Sequence, residues 1–285
     1  MKFVTYNYNG NEYVGVMNAD NTAVIPAAEW GCSAKNMNEL IDELQGSLPV
    51  IPENAKSVAA SEVKLLAPIP QPRHNVICLG LNYSNHAAEA AAAFDSFKIK
   101  KGEASYFTKQ VNRAAAPGAV IDGHFDINDS LDYEVELAVI IGKDAYKVKA
   151  EDAEKYVFGY TVLNDVSARN LQTKHNQWFF GKSLDDFAPM GPWIVSGDEI
   201  GIREPLGIRC YVNGEERQNS STGNLIYDIP YIIEELSSGM TLQAGTIIST
   251  GTPEGVGMKM GKYLTSGDVV RCEIDKIGVL ENTVG

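Results

Sequence analysis

The stretch that most constrains the fold is residues 132–142, which read DYEVELAVIIG. Acidic and apolar residues alternate at its start, and five apolar residues then precede a glycine. Because side chains two positions apart project from the same face of a β-strand, this pattern predicts a strand. Glu134 and Glu136 then lie on one face, about 7 Å apart along the strand.

Two carboxylates held side by side at the start of a buried apolar run repel each other unless a cation lies between them. A hard divalent ion with oxygen ligands would meet that need, and Asp165, after the strand predicted over 157–163, could supply a third oxygen. Two other interpretations stay open. The acidic strand could be a half-solvated edge strand with a polar outer face, and Asp165 could simply cap the next helix.

Composition indicates a cytoplasmic enzyme. The 285 residues can bury a sizeable core, and a net charge of −13 without clustered Lys and Arg argues against nucleic acid or an anionic membrane as partner. No apolar run approaches about 18 residues and no signal peptide is recognisable, so we expect neither secretion nor membrane insertion. The four cysteines lack CxxC spacing, which predicts buried reduced thiols.

The chain is predicted to have two units joined by a proline-rich connection. Residues 1–70 contain two strand-like runs, a hairpin signal at 9–11 and a short amphipathic helix over 37–44, which indicates a small α+β accessory domain. Prolines at 68, 70 and 72 stiffen the connection. Residues 74–285 form the larger unit, which carries the acidic strand.

Three further side chains are candidates for chemistry. His86 and Glu89 lie three positions apart on a predicted alanine-rich helix and share a face, so they could act together as a base, or form an ordinary surface pair. Lys182 follows three aromatic residues and a glycine, and its ammonium could reach solvent or bind an anionic substrate. The Gly- and Thr-rich loop 249–257 could offer amides and hydroxyls to a carboxylate, but it lacks the order of a phosphate loop.

Five motifs occur in an order that resembles the fumarylacetoacetate hydrolase family. They are N-Y-x-x-H-x-x-E from 82, D-Y-E-x-E-x-A-V-x-I-G from 132, N-D-V-S-A-R-x-x-Q from 164, G-K-S-x-D from 181 and S-T-G-T-P-x-G-V-G from 249. The resemblance covers roughly residues 74–285. It implies an α+β, β-rich chain whose catalytic domain is a mixed β-sandwich or roll, commonly paired as a homodimer.

The resemblance also implies roles for individual residues. The cofactor would be Mg²⁺ or Mn²⁺, with Ca²⁺ also able to occupy the site in crystals. The expected metal ligands are Glu134, Glu136 and Asp165. The expected catalytic groups are His86, Glu89 and Lys182. The residues expected to face the substrate are Arg169, Gln172, Thr252 and Lys109.

The segment before Lys109 departs from the family pattern. Residues 91–101 lack the proline-spaced approach to the F-x-K segment, which Phe107-Thr108-Lys109 fills here. This part forms a mobile lid in relatives, and residues 94–118 contain few good helix formers. We therefore expect part of 94–118 to be mobile and to close over the substrate.

Together these residues predict a metal-dependent hydrolase that cleaves a C–C bond in an acylpyruvate or other 2,4-dioxo acid. The ion would chelate the 2-oxo acid and stabilise its enolate, while His86 and Glu89 activate water. Without a positioned water, the same site would decarboxylate or tautomerise a 2-oxo dicarboxylate such as oxaloacetate or a hydroxyheptadienedioate. A non-catalytic metal-stabilised β-domain is the remaining alternative, but it has no use for His86, Glu89 and Lys182 together. The expected partner is a small anionic 2-oxo acid.

Overall fold

A computed structural model describes residues 1–84 and 103–285. The strands within these ranges are β1 (Lys2–Tyr8), β2 (Asn11–Met17), β3 (Ala23–Pro26), β4 (Val58–Ala59), β5 (Lys64–Leu65), β6 (Val76–Gly80), β7 (Ser105–Lys109), β8 (Val120–Ile121), β9 (Leu131–Asp132), β10 (Val135–Ile141), β11 (Val157–Asn164), β12 (Ser167–Ala168), β13 (Met190–Ser196), β14 (Gly207–Val212), β15 (Glu215–Ser221), β16 (Ile247–Ser249), β17 (Val269–Ile274) and β18 (Gly278–Val284). The α-helices are α1 (Met37–Leu44), α2 (Arg169–Lys174), α3 (Phe179–Lys182), α4 (Ile229–Ser237) and α5 (Gly257–Met260). Short 3₁₀ helices cover Ala27–Trp30, Ala60–Glu62, Ala150–Tyr156, Gly197–Glu199 and Thr222–Asn224.

Most of the strands belong to one large mixed sheet. Ten of its eleven strands follow the order β4-β3-β2-β1-β13-β11-β10-β16-β6-β7, and β5 pairs with β1 beside that path. A five-stranded sheet has the order β15-β14-β17-β18-β8, and β9 pairs with β12. The chain is therefore β-rich with short helices, which confirms the predicted fold class.

β10 lies in the middle of the large sheet, and its two faces pack into different cores. It pairs with β11 and β16, and all seven of its residues are buried. Its odd-numbered residues pack against the five-stranded sheet and α4, whereas Ala138 and Ile140 pack with β1 and α1. The half-solvated edge strand is therefore wrong, and alternation places Glu136 on the same face as Ala138.

The single strand predicted over 132–142 is interrupted before β10. Asp132 pairs with Ser167 in the small two-stranded sheet, and β10 begins at Val135. Between them the Glu134 backbone N–H donates to Asn164 Oδ1 at 2.9 Å, and its carbonyl accepts from the Asp165 amide at 2.8 Å. These two hydrogen bonds replace regular ladder bonds, and they bring Glu134 beside Asp165.

The first 70 residues share the large sheet with the rest of the chain. β1 pairs with β13 through Lys2 opposite Val195 and Phe3 opposite Ile194. Helix α1 covers the predicted 37–44, its cap Asn36 accepts from the Glu39 amide at 3.0 Å, and its buried face joins the core that contains Ala138. Separate folding of residues 1–70 stays a prediction.

The state of the cysteines agrees with the sequence-based expectation. All four cysteines are buried free thiols. Helix α4 begins after Asp228, whose side chain accepts from the Tyr231 amide as an N-cap. Among the helices in residues 1–84 and 103–285, none is long and apolar enough to cross a bilayer.

Candidate metal centre

Three buried acids converge at one end of the neighbouring strands β10 and β11, in the middle of the large sheet. Glu134 lies just before β10, Glu136 lies within it, and Asp165 directly follows β11. Val135 pairs with Asn164, so the antiparallel register of β10 and β11 brings the three side chains together. One carboxylate oxygen from each lies within 4.8 Å of the others. This is the group of acids that the sequence predicted as metal ligands.

Glu136 is fixed by the loop that follows β16. Its Oε2 accepts from Ser249 Oγ at 2.5 Å and from the Gly251 amide at 2.9 Å. Gly251 has a φ of 95°, and a Cβ there would lie 2.9 Å from the Cβ of Asn82. Only glycine fits this close approach with a positive φ, so the loop that holds Glu136 depends on it.

Lys182 lies against two of the three acids. Its Nζ is 2.6 Å from Glu134 Oε2 and 2.8 Å from Asp165 Oδ2, and its side chain is 2% exposed, so it does not reach solvent. Burial lowers the pKa of Lys182, but the Asp165 and Glu134 carboxylates raise it further, and the net pKa is raised. Lys182 is therefore an ammonium that orients and partly neutralises Glu134 and Asp165.

Lys109, the last residue of β7, contacts Asp165 and the backbone next to it. Its buried Nζ lies 2.8 Å from Asp165 Oδ1, donates to the Val166 carbonyl at 2.9 Å and also donates to the Lys182 carbonyl. Burial lowers the pKa of Lys109, and Asp165 opposes that shift. Two of the three ammonium protons are donated to backbone carbonyls, and the charge of the ammonium is paired with Asp165. These contacts describe a positioning role, and substrate binding by Lys109 stays a prediction that they do not support.

Arg169 connects Glu134 to Asp132. Its Nη2 is 2.6 Å from Glu134 Oε1, and its Nε donates to Asp132 Oδ2 at 2.8 Å. Asp132 also accepts from the backbone amides of Gly257 and Met258 at 2.7 and 2.9 Å. Arg169 Nη1 donates to Gln172 Oε1 at 3.0 Å. The guanidinium thus ties Glu134 to the start of α5 and to α2.

Thr252 contacts the backbone of β10 and the side chain of Gln218. Its hydroxyl donates to the Val135 carbonyl at 2.9 Å and accepts from Gln218 Nε2 at 2.8 Å. Gln218 Oε1 in turn accepts from the Val135 amide at 3.1 Å. The hydroxyl thus donates and accepts a hydrogen bond within the protein, and its one proton is already used. Substrate binding by Thr252 stays a prediction that these contacts do not support.

The charges around the three acids do not balance. Among the described residues the cluster holds four buried acids and three buried bases. The acids are Asp132, Glu134, Glu136 and Asp165. The bases are Lys109, Arg169 and Lys182. Within residues 1–84 and 103–285, Glu136 has a hydrogen-bond partner but no ion-pair partner.

This excess charge fits a divalent cation. Burial, followed by the nearby Asp165 and Glu134 charges, raises the pKa of Glu136 well above its usual range. A cation between the three carboxylates would remove the repulsion that causes part of this shift. The donor set consists only of carboxylate oxygens, which suit hard ions better than zinc or copper.

The structure decides whether Asp165 caps a helix, and one pair of predicted residues lies outside the described ranges. Helix α2 begins at Arg169, and both carboxylate oxygens of Asp165 face lysine ammonium groups, so the helix-cap alternative for Asp165 is wrong. His86 and Glu89 lie outside the described residues, and their catalytic role stays a prediction.

Three residues that shape the site had no assigned role in the sequence. Asp132 belongs to the alternating acidic run and Ser249 opens the S-T-G-T-P motif, so both carried a signal that could have been used. Gln218 lies in β15 outside every motif, yet it holds Thr252, the Val135 amide and the Pro253 carbonyl. Nothing in the local sequence marks it.

Comparison with known proteins identifies the family. Residues 75–285 match the family model described as fumarylacetoacetate (FAA) hydrolase C-terminal. The oxaloacetate tautomerase YisK of Bacillus subtilis (strain 168) is 44% identical over 260 residues, which cover 90% of this chain and 80% of that protein. The chain belongs to the fumarylacetoacetate hydrolase family, a family of enzymes.

Solved structures agree with this assignment. Fumarylacetoacetate hydrolase from the psychrophilic Exiguobacterium antarcticum has a TM-score of 0.86 and 38% identity, covering 100% of this chain and 99% of that one. The 5-carboxymethyl-2-hydroxymuconate delta-isomerase from Mycobacterium smegmatis has a TM-score of 0.78 and 30% identity, with the same coverage. The fold and the family are therefore shared with both hydrolases and isomerases.

The buried contacts of Lys109 lead to a stability prediction. Lys109→Met keeps the approximate length of the side chain but leaves Asp165 Oδ1 without its ion-pair partner and two backbone carbonyls without their donor. We expect a loss of roughly 3–5 kcal/mol in the free energy of unfolding, the usual effect of breaking a buried ion pair. Urea denaturation of the metal-free protein measures it.

A surface lysine provides the control. Lys149 pairs with Glu234 at 3.1 Å, but its side chain is 71% exposed. Lys149→Met should therefore cost less than about 1 kcal/mol. If Lys109→Met costs no more than Lys149→Met, Lys109 does not position Asp165.

Proposed function

We propose that the chain is a divalent-metal-dependent enzyme that interconverts the keto and enol forms of a 2-oxo dicarboxylate of the oxaloacetate type. The observation that carries the proposal is the buried Glu136 carboxylate, which lies beside Glu134 and Asp165 without an ion-pair partner among the described residues. Such a site favours a hard divalent cation, and a cation so held suits a substrate with adjacent carboxylate and keto oxygens.

The relatives support isomerisation as the reaction. The relative that shares 44% identity over 90% of this chain is named an oxaloacetate tautomerase. A structural relative at 30% identity is named a delta-isomerase of a hydroxymuconate. Both names describe movement of a proton and a double bond in a 2-oxo or 2-hydroxy acid, and neither reaction needs a water molecule as nucleophile.

Each residue of the site has a proposed part in this reaction. Glu134, Glu136 and Asp165 would hold Mg²⁺ or Mn²⁺, which when bound polarises the 2-oxo group and stabilises negative charge on its oxygen. Lys182 keeps Glu134 and Asp165 oriented and adds a positive charge beside them. His86, with its tautomer fixed by Glu89, moves the proton to and from the carbon next to the 2-oxo group.

Substrate binding by Gln172 fits the structure better than binding by the other predicted residues. Lys109 and Thr252 use their donors within the protein, and Arg169 bridges Asp132 and Glu134. Gln172 accepts from Arg169 through Oε1, which leaves its amide NH₂ able to meet a substrate carboxylate. We propose that Arg169 orients Gln172 for this contact.

C–C bond hydrolysis is the second candidate. It is supported by the structural relative named fumarylacetoacetate hydrolase, at 38% identity over the whole chain. The same metal site would serve it, with His86 and Glu89 deprotonating a water that attacks the distal carbonyl of an acylpyruvate. Hydrolysis therefore requires a positioned water molecule, whereas tautomerisation does not. An analysis of the reaction products distinguishes the two reactions.

The test is a product analysis with defined substrates. The Mg²⁺- or Mn²⁺-loaded protein is mixed with oxaloacetate, and the enol absorbance is followed together with a coupled assay for pyruvate. We expect the enol to relax to its equilibrium with the keto form faster than with the metal salt alone, without pyruvate release. Pyruvate from oxaloacetate would identify a decarboxylase, and pyruvate plus a carboxylic acid from an acylpyruvate would identify a hydrolase. An unchanged relaxation rate would refute the tautomerase.

A further inference from the structure

A cavity lies on the face of β10 opposite to Glu136. It has a volume of about 220 Å³. Leu137 and Tyr160 form its floor, and the loop 200–206, the turn at 222–225 and the start of α4 form its walls. It is therefore separated from the metal centre by the thickness of the central sheet.

Buried apolar side chains form part of the wall of this cavity, and the charges at its rim are already paired. Ile200, Leu206 and Ile229 are buried side chains that line it. At the rim, Arg203 Nε lies 2.9 Å from Asp228 Oδ2, and Glu204 Oε1 lies 2.5 Å from Lys276 Nζ. A neutral ligand would keep both ion pairs, whereas a charged one would compete with them.

Tyr160 adds a hydroxyl beside these apolar side chains. Its side chain is 1% exposed, and its hydroxyl has no hydrogen-bond partner among the described residues. Burial, assisted by Glu154, raises the pKa of Tyr160, so the hydroxyl stays protonated and can donate. A buried donor without an acceptor is costly, and a ligand oxygen would satisfy it.

We propose that this cavity binds a neutral, monocyclic molecule of about the size of a phenol, whose oxygen accepts a hydrogen bond from the Tyr160 hydroxyl. An apolar cavity of about 150 Å³ holds benzene, so 220 Å³ holds a ring with one or two small substituents. The ring contacts Leu137 and Ile229, and the polar end meets Tyr160.

The wall of the cavity is connected to the loop that holds Glu136. The Tyr227 amide donates to Asn82 Oδ1 at 2.8 Å, and Asn82 Nδ2 donates to the Tyr227 carbonyl at 3.0 Å. The same Asn82 Nδ2 donates to the Thr250 carbonyl at 2.9 Å, next to Gly251. A ligand that orders residues 225–229 therefore also orders Asn82 and the 250–251 loop.

Two probes that differ by one hydroxyl test the proposal. Calorimetry of the full chain with 4-methylphenol and toluene should show saturable binding of both. Tyr160→Phe should weaken 4-methylphenol by about 5–10-fold, the effect of one hydrogen bond, and leave toluene unchanged. Leu225→Phe, which fills the cavity from its rim, should abolish binding of both. Tyr156→Phe, outside the cavity, should change neither.

The outcomes decide the site and its coupling separately. Absence of saturable 4-methylphenol binding, or equal affinity in the wild-type, Tyr160→Phe and Leu225→Phe proteins, overturns the site. Hydrogen exchange should show slower exchange at Tyr227 and Gly251 when 4-methylphenol binds, and unchanged exchange there overturns the coupling. These readouts need neither the metal nor turnover, so they are independent of the proposed tautomerase activity.

Discussion

Replacing Glu136 by glutamine is expected to lower the affinity for Mg²⁺ or Mn²⁺ by about 100-fold or more. Removing a residue that hydrogen-bonds to a metal ligand lowers metal affinity by about 10–100-fold. This substitution changes a ligand itself, so a larger loss of affinity is expected. Glu136 carries the excess negative charge of the cluster, because Glu134 and Asp165 already face Lys182. The glutamine can still accept from Ser249 and Gly251, so the fold should survive.

Metal titration by calorimetry measures this effect directly. The matched control is Glu235→Gln, because Glu235 is a hydrogen-bonded carboxylate that pairs with Tyr231 at 3.1 Å outside the metal site. Chelation should abolish turnover of the wild-type protein, and Mg²⁺ or Mn²⁺ should restore it better than zinc. An unchanged titration in Glu136→Gln, or full activity after chelation, would mean that these acids are not the ligands.

The parts of the site that could be predicted from sequence are those with a local pattern. The alternation at 132–137 placed Glu134 and Glu136 on one face, and the apolar run that follows predicted the buried strand. The amphipathic pattern over 37–44 likewise predicted α1, which covers those residues. Each of these features depends on neighbours within a few residues.

The parts that could not be predicted depend on contacts between distant segments. Asp132 was read as part of one continuous strand, but its carboxylate binds Arg169 and the first amides of α5. The contacts of Lys109 with Asp165 and Lys182 arise only when β7, β11 and α3 meet in three dimensions. No periodicity in the sequence encodes a contact between such distant segments. The family resemblance therefore suggested that Lys109 contacts the substrate, whereas in the structure it contacts Asp165 and the Lys182 carbonyl.

Removing His86 or its partner is the other change with a large expected effect. If His86 moves the proton and Glu89 orients its imidazole, His86→Ala removes the proton acceptor and Glu89→Gln weakens its partner while keeping its shape. Turnover of the substrate identified by product analysis should fall by about 100-fold or more, the usual effect of losing a general base. Metal and oxalate should still bind, because chelation needs only Glu134, Glu136 and Asp165.

The double variant distinguishes a catalytic dyad from two separate binding groups. Residues that act as one unit are not additive, so His86→Ala combined with Glu89→Gln should be hardly slower than His86→Ala alone. Steady-state kinetics with saturating metal measures all three variants, and oxalate titration reports binding separately. If the losses multiplied, or if kcat survived while KM rose, His86 and Glu89 would bind substrate. The proton transfer would then need another base, and the same result would remove the water-activating step from the hydrolase alternative.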